Sequence, residues 1–282
     1  MTQIAFLGTG LLGSALVEAA AKRGDQITVW NRTIDKARAL EPFGVRVAAT
    51  PAEAVRGAER IHLVLKDDTV VDEVVAALRP GLSATAIIVD HTTTQPLLTA
   101  ARAHRLNGEG VRYIHCPVFI GPAAARQTQG TILASGPGPL FDEIRPALAR
   151  MAERVEYFGE RADLAAVYKL CGNAFIIGLA ALVADVYAVA SGAHVAPTDA
   201  IEVAKFFNPA SVIAGRGKSM AAANYAPSFE LTMARKDVRL MLETAADRPL
   251  ATLPGIAARM DALIGAGYGA DDLAAIGRES IV

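Results

Sequence analysis

Cysteine and tryptophan are almost missing from this 282-residue chain, which holds two of the first and one of the second. Cys116 and Cys171 cannot by themselves build a disulfide framework or a zinc cluster. No basic cluster adjoins either thiol, so both read as buried packing residues. The five histidines are scattered without metal-ligand spacing, and no metal site is expected. An excess of positive charge is missing too: 28 Lys+Arg stand against 29 Asp+Glu, a net charge of -1. Phosphate neutralisation dominates nucleic-acid affinity, so nucleic acid is not an expected partner. Neither a fixed-period repeat nor a low-complexity tract is present. The start, MTQIAFLGTG, enters a short apolar run cut by glycines with no signal peptide ahead of it, and a cytoplasmic location is the expectation. What remains is an ordinary globular composition, 52% hydrophobic and 20% charged, with length for about two domains.

Long hydrophobic runs are limited to one, Leu170 to Gly192, which has the length of a membrane span. Asn173 and Asp185 interrupt it, and many of its residues are small. A helix apolar on most sides also suits a buried domain or subunit interface. The buried helix is the expected form, and no membrane partner is expected.

Along the first 160 or so residues, short β runs alternate with amphipathic stretches. The β runs are Ile4–Leu7, Ile27–Trp30, Val45–Ala48, Ile61–Leu65, Ala86–Val89, Arg112–Ile114, Thr131–Ala134 and Val155–Phe158. Helices are expected over Leu11–Lys22, Thr33–Leu40 (capped by Thr33), Thr69–Leu78, Pro96–Arg105 and Leu140–Met151, with another opening at Pro51 behind the cap Thr50. This alternation predicts an α/β fold with a doubly wound, mostly parallel sheet. After about Leu164 the β signal stops. The expected organisation is a first domain over 1–162 and an all-α domain over 163–282, joined by a long helix.

Gly8-Thr9-Gly10-Leu11-Leu12-Gly13 is a G-x-G-x-x-G turn between a β run and a helix, the context that makes it a dinucleotide-binding fingerprint. Gly8 permits the bend, Gly10 lets backbone approach a pyrophosphate, and Gly13 lets helix and strand pack closely. The second β run ends at Asn31 and Arg32, where an NAD site places an acid for the ribose hydroxyls. Asn31 removes the charge that would repel a 2′-phosphate. Arg32 supplies a planar donor fork, and Thr33 and Lys36 add donors. The expected cofactor is therefore NADP(H) in preference to NAD(H). Leu65 and Lys66, closing the fourth β run, complete the candidate cofactor contacts on this side.

Several segments in order resemble the β-hydroxyacid dehydrogenase family, which has a 6-phosphogluconate dehydrogenase type of NADP-binding domain. They are FLGTGLLGSALVEAAAKRG near the start, DHTTTQP at 90–96, HCPVFIGPAAARQTQGT at 115–131, VYKLCGNAF at 167–175 and FELTMARKDVRLMLETA at 229–245. The resemblance covers nearly the whole chain. It implies a Rossmann-type domain, an interdomain helix and a helical domain that forms dimers or tetramers. It also implies a reductase of semialdehydes or oxo acids, run reversibly as a 3-hydroxyacid dehydrogenase.

Lys169 and Asn173 match the family's catalytic lysine and downstream asparagine. A developing alkoxide needs a proton, and a lysine at the start of an apolar helix has its charge disfavoured by desolvation and by the helix end. Asn173, four residues later, shares its face and can orient the same substrate oxygen. By the same resemblance Thr93 meets the nicotinamide ribose or substrate, although a threonine there also suits capping of the next helix. Phe119, Ile120 and Gly121 form the substrate loop. Phe229 walls the pocket and Lys236 reaches the cofactor, against the plainer readings of a core aromatic and a surface ion pair.

Some positions depart from the family. Its substrate loop reads D-x-P-V-S-G-G, whereas this chain has Phe119 for the serine and Ile120 for the first glycine. Such a pair cannot grip a carboxylate through side-chain hydrogen bonds. Gly172 stands where an asparagine is common, and the approach to the helix is reduced to Gly159-Glu160-Arg161-Ala162. An imine or apolar-carbonyl reductase is thus a competing expectation, although imine reductases typically carry Asp or Tyr at the position of Lys169. A non-catalytic NADP(H) sensor is a third.

Overall fold

In the computed structural model, which describes residues 2–206 and 208–280, six strands form one parallel sheet. They are β1 (Gln3–Leu7), β2 (Gln26–Trp30), β3 (Arg46–Val47), β4 (Arg60–Leu63), β5 (Ile87–Asp90) and β6 (Arg112–His115), in the order β3-β2-β1-β4-β5-β6. Helices α1 (Leu11–Lys22), α2 (Ile34–Arg38), α3 (Pro51–Val55), α4 (Asp68–Leu78) and α5 (Pro96–Gly108) make the crossovers. The period of two along each strand sends alternate residues to opposite faces. Ile4 and Phe6 thus join Leu16, Val17, Ile27 and Val29 in one core, while Ala5 and Leu7 join Ile61, Leu63, Val71 and Ile88 in the other. Burial on both faces is why these runs are mostly apolar. The strand order reverses between β1 and β4, and ligands bind at the carboxyl ends of strands at such a switch point.

Beyond β6 the chain builds a second sheet. β7 (Val118–Phe119) pairs antiparallel with β8 (Thr131–Ala134), which pairs parallel with β9 (Arg154–Tyr157). Helices α6 (Pro122–Arg126) and α7 (Gly138–Leu148) interleave with them. The expected strands at 131–134 and 155–158 are therefore not a continuation of the main sheet.

Two local expectations need correction. Thr33 precedes α2 but makes no side-chain cap bond. The cap of α5 is Gln95, whose side chain accepts from the Leu98 N–H, so no threonine serves there. Thr50 does cap α3, accepting from the Glu53 N–H.

The chain divides into two compact units, Met1–Asn173 and Ala174–Val282. The division falls inside α8 (Leu164–Gly192). The second unit continues with α9 (Pro197–Ala200), α10 (Pro209–Ala221), α11 (Leu231–Ala245) and α12 (Leu253–Leu263). Leu231, Ala234 and Val238 of α11 pack on Leu253, Ala257 and Met260 of α12 at helical spacing. Among the described residues, α8 is the one helix long and apolar enough to cross a membrane. Its expected burial is not met within the chain: Phe175, Ile176 and Ile177 are all more than half exposed. Cys116 is buried as expected, but Cys171 is exposed on α8, because the position faces away from the core that covers Ala165 and Ala166. Asp185, by contrast, is buried, and its carboxylate accepts from the N–H groups of Ala251, Thr252 and Leu253 and from the Thr252 hydroxyl at 2.6–2.8 Å.

Candidate functional site

The glycine turn leaves the end of β1 directly at the switch point. Gly8 has φ +101°, and a Cβ there would stand 2.1 Å from the Val64 carbonyl oxygen. Its N–H donates to the Trp30 carbonyl. A Cβ on Gly13 would meet the Gly8 oxygen at 2.0 Å, whereas one on Gly10 would meet nothing within 4 Å. Gly8 and Gly13 are thus required by packing, and Gly10 borders open space. Gly10 also precedes α1 without a side-chain cap, so the first N–H groups of that helix are free for an anion. Beside them the Thr9 hydroxyl is buried and lacks a partner among the described residues. An orphaned donor, uncapped N–H groups and a glycine facing space fit the pyrophosphate of a dinucleotide.

Two cavities open on this turn. One, of about 530 Å³, is bordered by Gly8 and Gly10, then by Trp30, Asn31, Arg32, Thr33 and Lys36 from the end of β2 onward. Asn31 is committed on both sides, since its Oδ1 accepts from the Thr9 N–H at 3.0 Å and its Nδ2 donates to the Thr33 carbonyl at 2.9 Å. Arg32 and Lys36 are exposed and enter no ion pair among the described residues, which leaves two cations at the rim.

The other cavity, of about 330 Å³, shares Gly10, Val64, Leu65 and Lys66 with the first. Leu11, Leu12, Gly13, Thr92, Thr93, Ile120 and Lys169 also line it. Asp90 organises its floor. One carboxylate oxygen accepts from the Thr92 N–H and the other from the Tyr113 hydroxyl. The Thr92 hydroxyl in turn accepts from the Leu65 N–H, which leaves the exposed Thr93 at the cavity.

Lys169 reaches this cavity from the second turn of α8. Its Nζ donates to Asn173 Oδ1 at 3.0 Å and lies 4.2 Å from the centroid of the Phe119 ring. Burial pushes the ammonium below the ordinary lysine pKa. Phe119 is held in β7, and Gly121 caps α6. The structure thus brings Lys169, Asn173, Phe119, Ile120 and Thr93 around one end of the glycine turn.

Phe229 and Lys236 belong to the second unit. There Phe229 borders a groove with Val212, Arg216 and Asp272, and its N–H donates to Asp272. Lys236 is exposed and pairs with Asp237 at 2.8 Å.

In the smaller cavity Val64, Val118 and His91 escaped the sequence reading, and in the larger one Trp30, Pro51, Val70 and Glu73 among others. His91 had a visible signal, because it follows the last residue of a buried β run at the ligand end of the sheet. Its Nδ1 is 2.7 Å from the Cys116 carbonyl, which can only accept, so Nδ1 carries the hydrogen. Nε2 then accepts from His62 Nδ1 at 2.9 Å. Burial lowers the pKa of both imidazoles and holds them neutral.

Residues 3–159 match the family described as the NAD binding domain of 6-phosphogluconate dehydrogenase. The chain is 28% identical over 263 residues to glyoxylate/succinic semialdehyde reductase 1 of Arabidopsis thaliana, covering 88% of this chain and 89% of that one. It is 26% identical over 273 residues to the chloroplastic reductase 2 of the same plant, covering 95% and 76%. Among solved structures, an imine reductase from Myxococcus stipitatus in complex with NADP+ superposes with a TM-score of 0.87 at 20% identity, covering 98% of this chain and 99% of that one. A reductive aminase from Aspergillus terreus in complex with NADPH4, cyclohexanone and allyl amine reaches 0.86 at 21%, covering 98% of each chain. At these identities the structural likeness speaks for the fold.

Proposed function

This chain belongs to the β-hydroxyacid dehydrogenase family and is an NAD(P)-binding oxidoreductase, and from that premise we propose that it reduces a small aldehyde or ketone to the alcohol with NADPH, reversibly. The observation that carries the reading is Lys169 Nζ at the mouth of the cavity beside the glycine turn, hydrogen-bonded to Asn173. When bound, NADPH supplies the hydride to the carbonyl carbon. Lys169 supplies the proton: as the C=O π bond breaks, an N–H of its ammonium passes to the oxygen, and the neutral amine is reprotonated from solvent. In alcohol oxidation the amine takes the hydroxyl proton back. Asn173 holds Nζ by its carbonyl oxygen and keeps its amide N–H groups for the substrate oxygen. Thr93 adds a hydroxyl to the lining of the same cavity.

The preference for NADPH rests on Arg32 and Lys36, exposed and outside any ion pair among the described residues at the cavity rim, where a 2′-phosphate would sit. The glyoxylate and succinic semialdehyde reductases among the relatives make short oxo acids and semialdehydes the first substrates to try. One observation favours a second reading, reduction of a C=N bond: the apolar Phe119 ring beside the proton donor. The exposed apolar face of α8, including Phe175, Ile176 and Ile177, we assign to contact with another copy of the chain. Sedimentation of the purified protein as a monomer would remove that assignment.

The deciding experiment follows NADPH oxidation with short semialdehydes, neutral aldehydes and cyclic imines, in the wild type and in Lys169→Ala. Carbonyl turnover that collapses in the variant while NADPH binding persists supports the reading. Turnover of imines alone moves the function to the second reading. NADPH binding without turnover of any kind leaves a sensor.

A further inference from the structure

The Phe119 ring and Gly172 fit together as one piece. Gly172 follows Lys169 by three residues on α8, and its missing side chain leaves a notch in the helix surface. A Cβ placed there would stand 2.2 Å from Cζ of Phe119, 2.7 Å from Cε1 and 3.0 Å from Cε2. No real Cβ tolerates such distances, so the ring tip occupies the space of the absent side chain. At its base Phe119 is tied into β7, opposite Thr131 of β8. Strand and helix therefore hold the ring from both ends, with its centroid 4.2 Å from Lys169 Nζ.

This arrangement decides what can lie next to the proton donor. One flank of the ammonium is taken by Asn173 and another by the ring. The cavity beyond presents Leu11, Leu12, Val118 and Ile120, with Thr93 as its exposed hydroxyl. Pro117, Val118, Phe119 and Ile120 carry no side-chain donor. Lys66, the other cation on the wall, is exposed and pairs with Asp67 at 3.5 Å. A carboxylate entering beside Phe119 would shed water and find Lys169 as its charged partner, with the Thr93 hydroxyl as a neutral donor. The pairing would draw the ammonium away from the carbonyl oxygen it must protonate, and an unpaired buried carboxylate is costlier still. An alkyl or aryl substituent meets no such penalty and gains contact with the ring and the leucines.

We propose that Phe119, seated on Gly172, is the specificity-determining residue, and that the enzyme takes neutral aldehydes and ketones with an alkyl or aryl substituent ahead of oxo acids of equal length. The proposal rests on Lys169 being the proton donor.

The test compares kcat/KM for butanal and succinic semialdehyde at saturating NADPH. Wild type is expected to favour butanal by at least about tenfold, and Phe119→Ser to lower that ratio by about tenfold, the scale on which pockets discriminate a buried group. Gly172→Ala keeps the phenyl group but expels it from the notch, and is expected to lower the ratio in the same direction. A wild-type preference for succinic semialdehyde overturns the proposal, as does an unchanged ratio in a Phe119→Ser protein whose circular dichroism is native. If that variant does not fold, Gly172→Ala decides by the same criterion. If neither aldehyde is reduced, the proton-donor reading fails separately, and selection is read by calorimetry of butanamide and succinamate on the NADP+-loaded protein. Tighter butanamide then sustains selection by Phe119, and tighter succinamate overturns it.

Discussion

The backbone N–H of Thr9 donates to Oδ1 of Asn31 at 3.0 Å, and this bond joins the glycine turn to the loop that carries Arg32. The same side chain donates to the Thr33 carbonyl, so Asn31 spans the turn and the start of α2. An aspartate keeps the acceptor for Thr9, loses the donor for Thr33 and sets a negative charge beside the Arg32 rim. Asn31→Asp is therefore expected to weaken NADPH binding by about tenfold or more while NADH binding changes little, because charge repulsion acts on the 2′-phosphate alone. Arg32→Ala should also erode the NADPH preference. Fluorescence titration with both cofactors checks each variant.

Lys169 gives a signed pH prediction. Burial lowers its pKa from the ordinary lysine value. Reduction needs the ammonium, so its kcat/KM should fall as pH rises through that lowered pKa. Alcohol oxidation needs the amine and should rise over the same interval. Asn173→Asp places a carboxylate on Nζ, favours the charged form and should move both limbs to higher pH. Lys169→Ala should cost about 10²–10⁴ in turnover, the usual worth of a positioned acid. Paired pH profiles in the two directions check these shifts; limbs that do not move in Asn173→Asp would remove Lys169 from the proton-transfer step.

How much of this was legible beforehand depends on how local each feature is. The strands of the main sheet stand out because β1, β4 and β5 are buried on both faces and are mostly apolar, with His62 the buried exception inside β4. The glycine turn is legible because Gly8, Gly10 and Gly13 fall close together between a β run and a helix, although the packing that requires Gly8 comes from Val64, far along the chain. β7 was not, since two residues carry no periodicity and the pairing partner Thr131 lies across a helix. The exposure of α8 was not, because composition tells that a helix wants cover and not what supplies it. The seating of Phe119 on Gly172 has no local signature at all: it depends on an absent side chain on one element and a ring on another.

The glycine turn separates folding from binding. A Cβ at position 13 would strike the Gly8 carbonyl oxygen, a backbone atom that cannot swing aside. Gly13→Ala should therefore destabilise the fold by about 1–3 kcal/mol and weaken NADPH binding as well. Gly10 has φ -70° and nothing within 4 Å of a built Cβ. Gly10→Ala should leave the Tm of the cofactor-free protein unchanged and still weaken NADPH, since the methyl group projects where the phosphates approach. Thermal melts with and without NADPH distinguish the two. A Gly10→Ala protein that binds NADPH normally would place the pyrophosphate elsewhere.

Asp185 carries the stability prediction for the second unit. Thr252, at the start of α12, makes no side-chain cap of its own. The helix is capped from α8 instead: Asp185 accepts from the N–H groups of Ala251, Thr252 and Leu253 and from the Thr252 hydroxyl. The side chain is buried, so removing it leaves those donors without water. Asp185→Ala is expected to cost about 1–3 kcal/mol for each buried donor left without an acceptor, and to lower the Tm accordingly. Burial alone would raise the carboxyl pKa, but the hydrogen bonds from Thr252, Ala251 and Leu253 prevail and lower it. A folded pKa below the unfolded one contributes stability that is complete above the unfolded value, about 3.9, and is lost as pH falls through the folded value. The wild type should therefore lose Tm on acidification below about pH 4 more steeply than Asp185→Ala, and the gap between the two proteins should narrow. Melting curves between neutral and acid pH measure that gap, and a constant difference would mean that Asp185 holds α12 by shape rather than by charge.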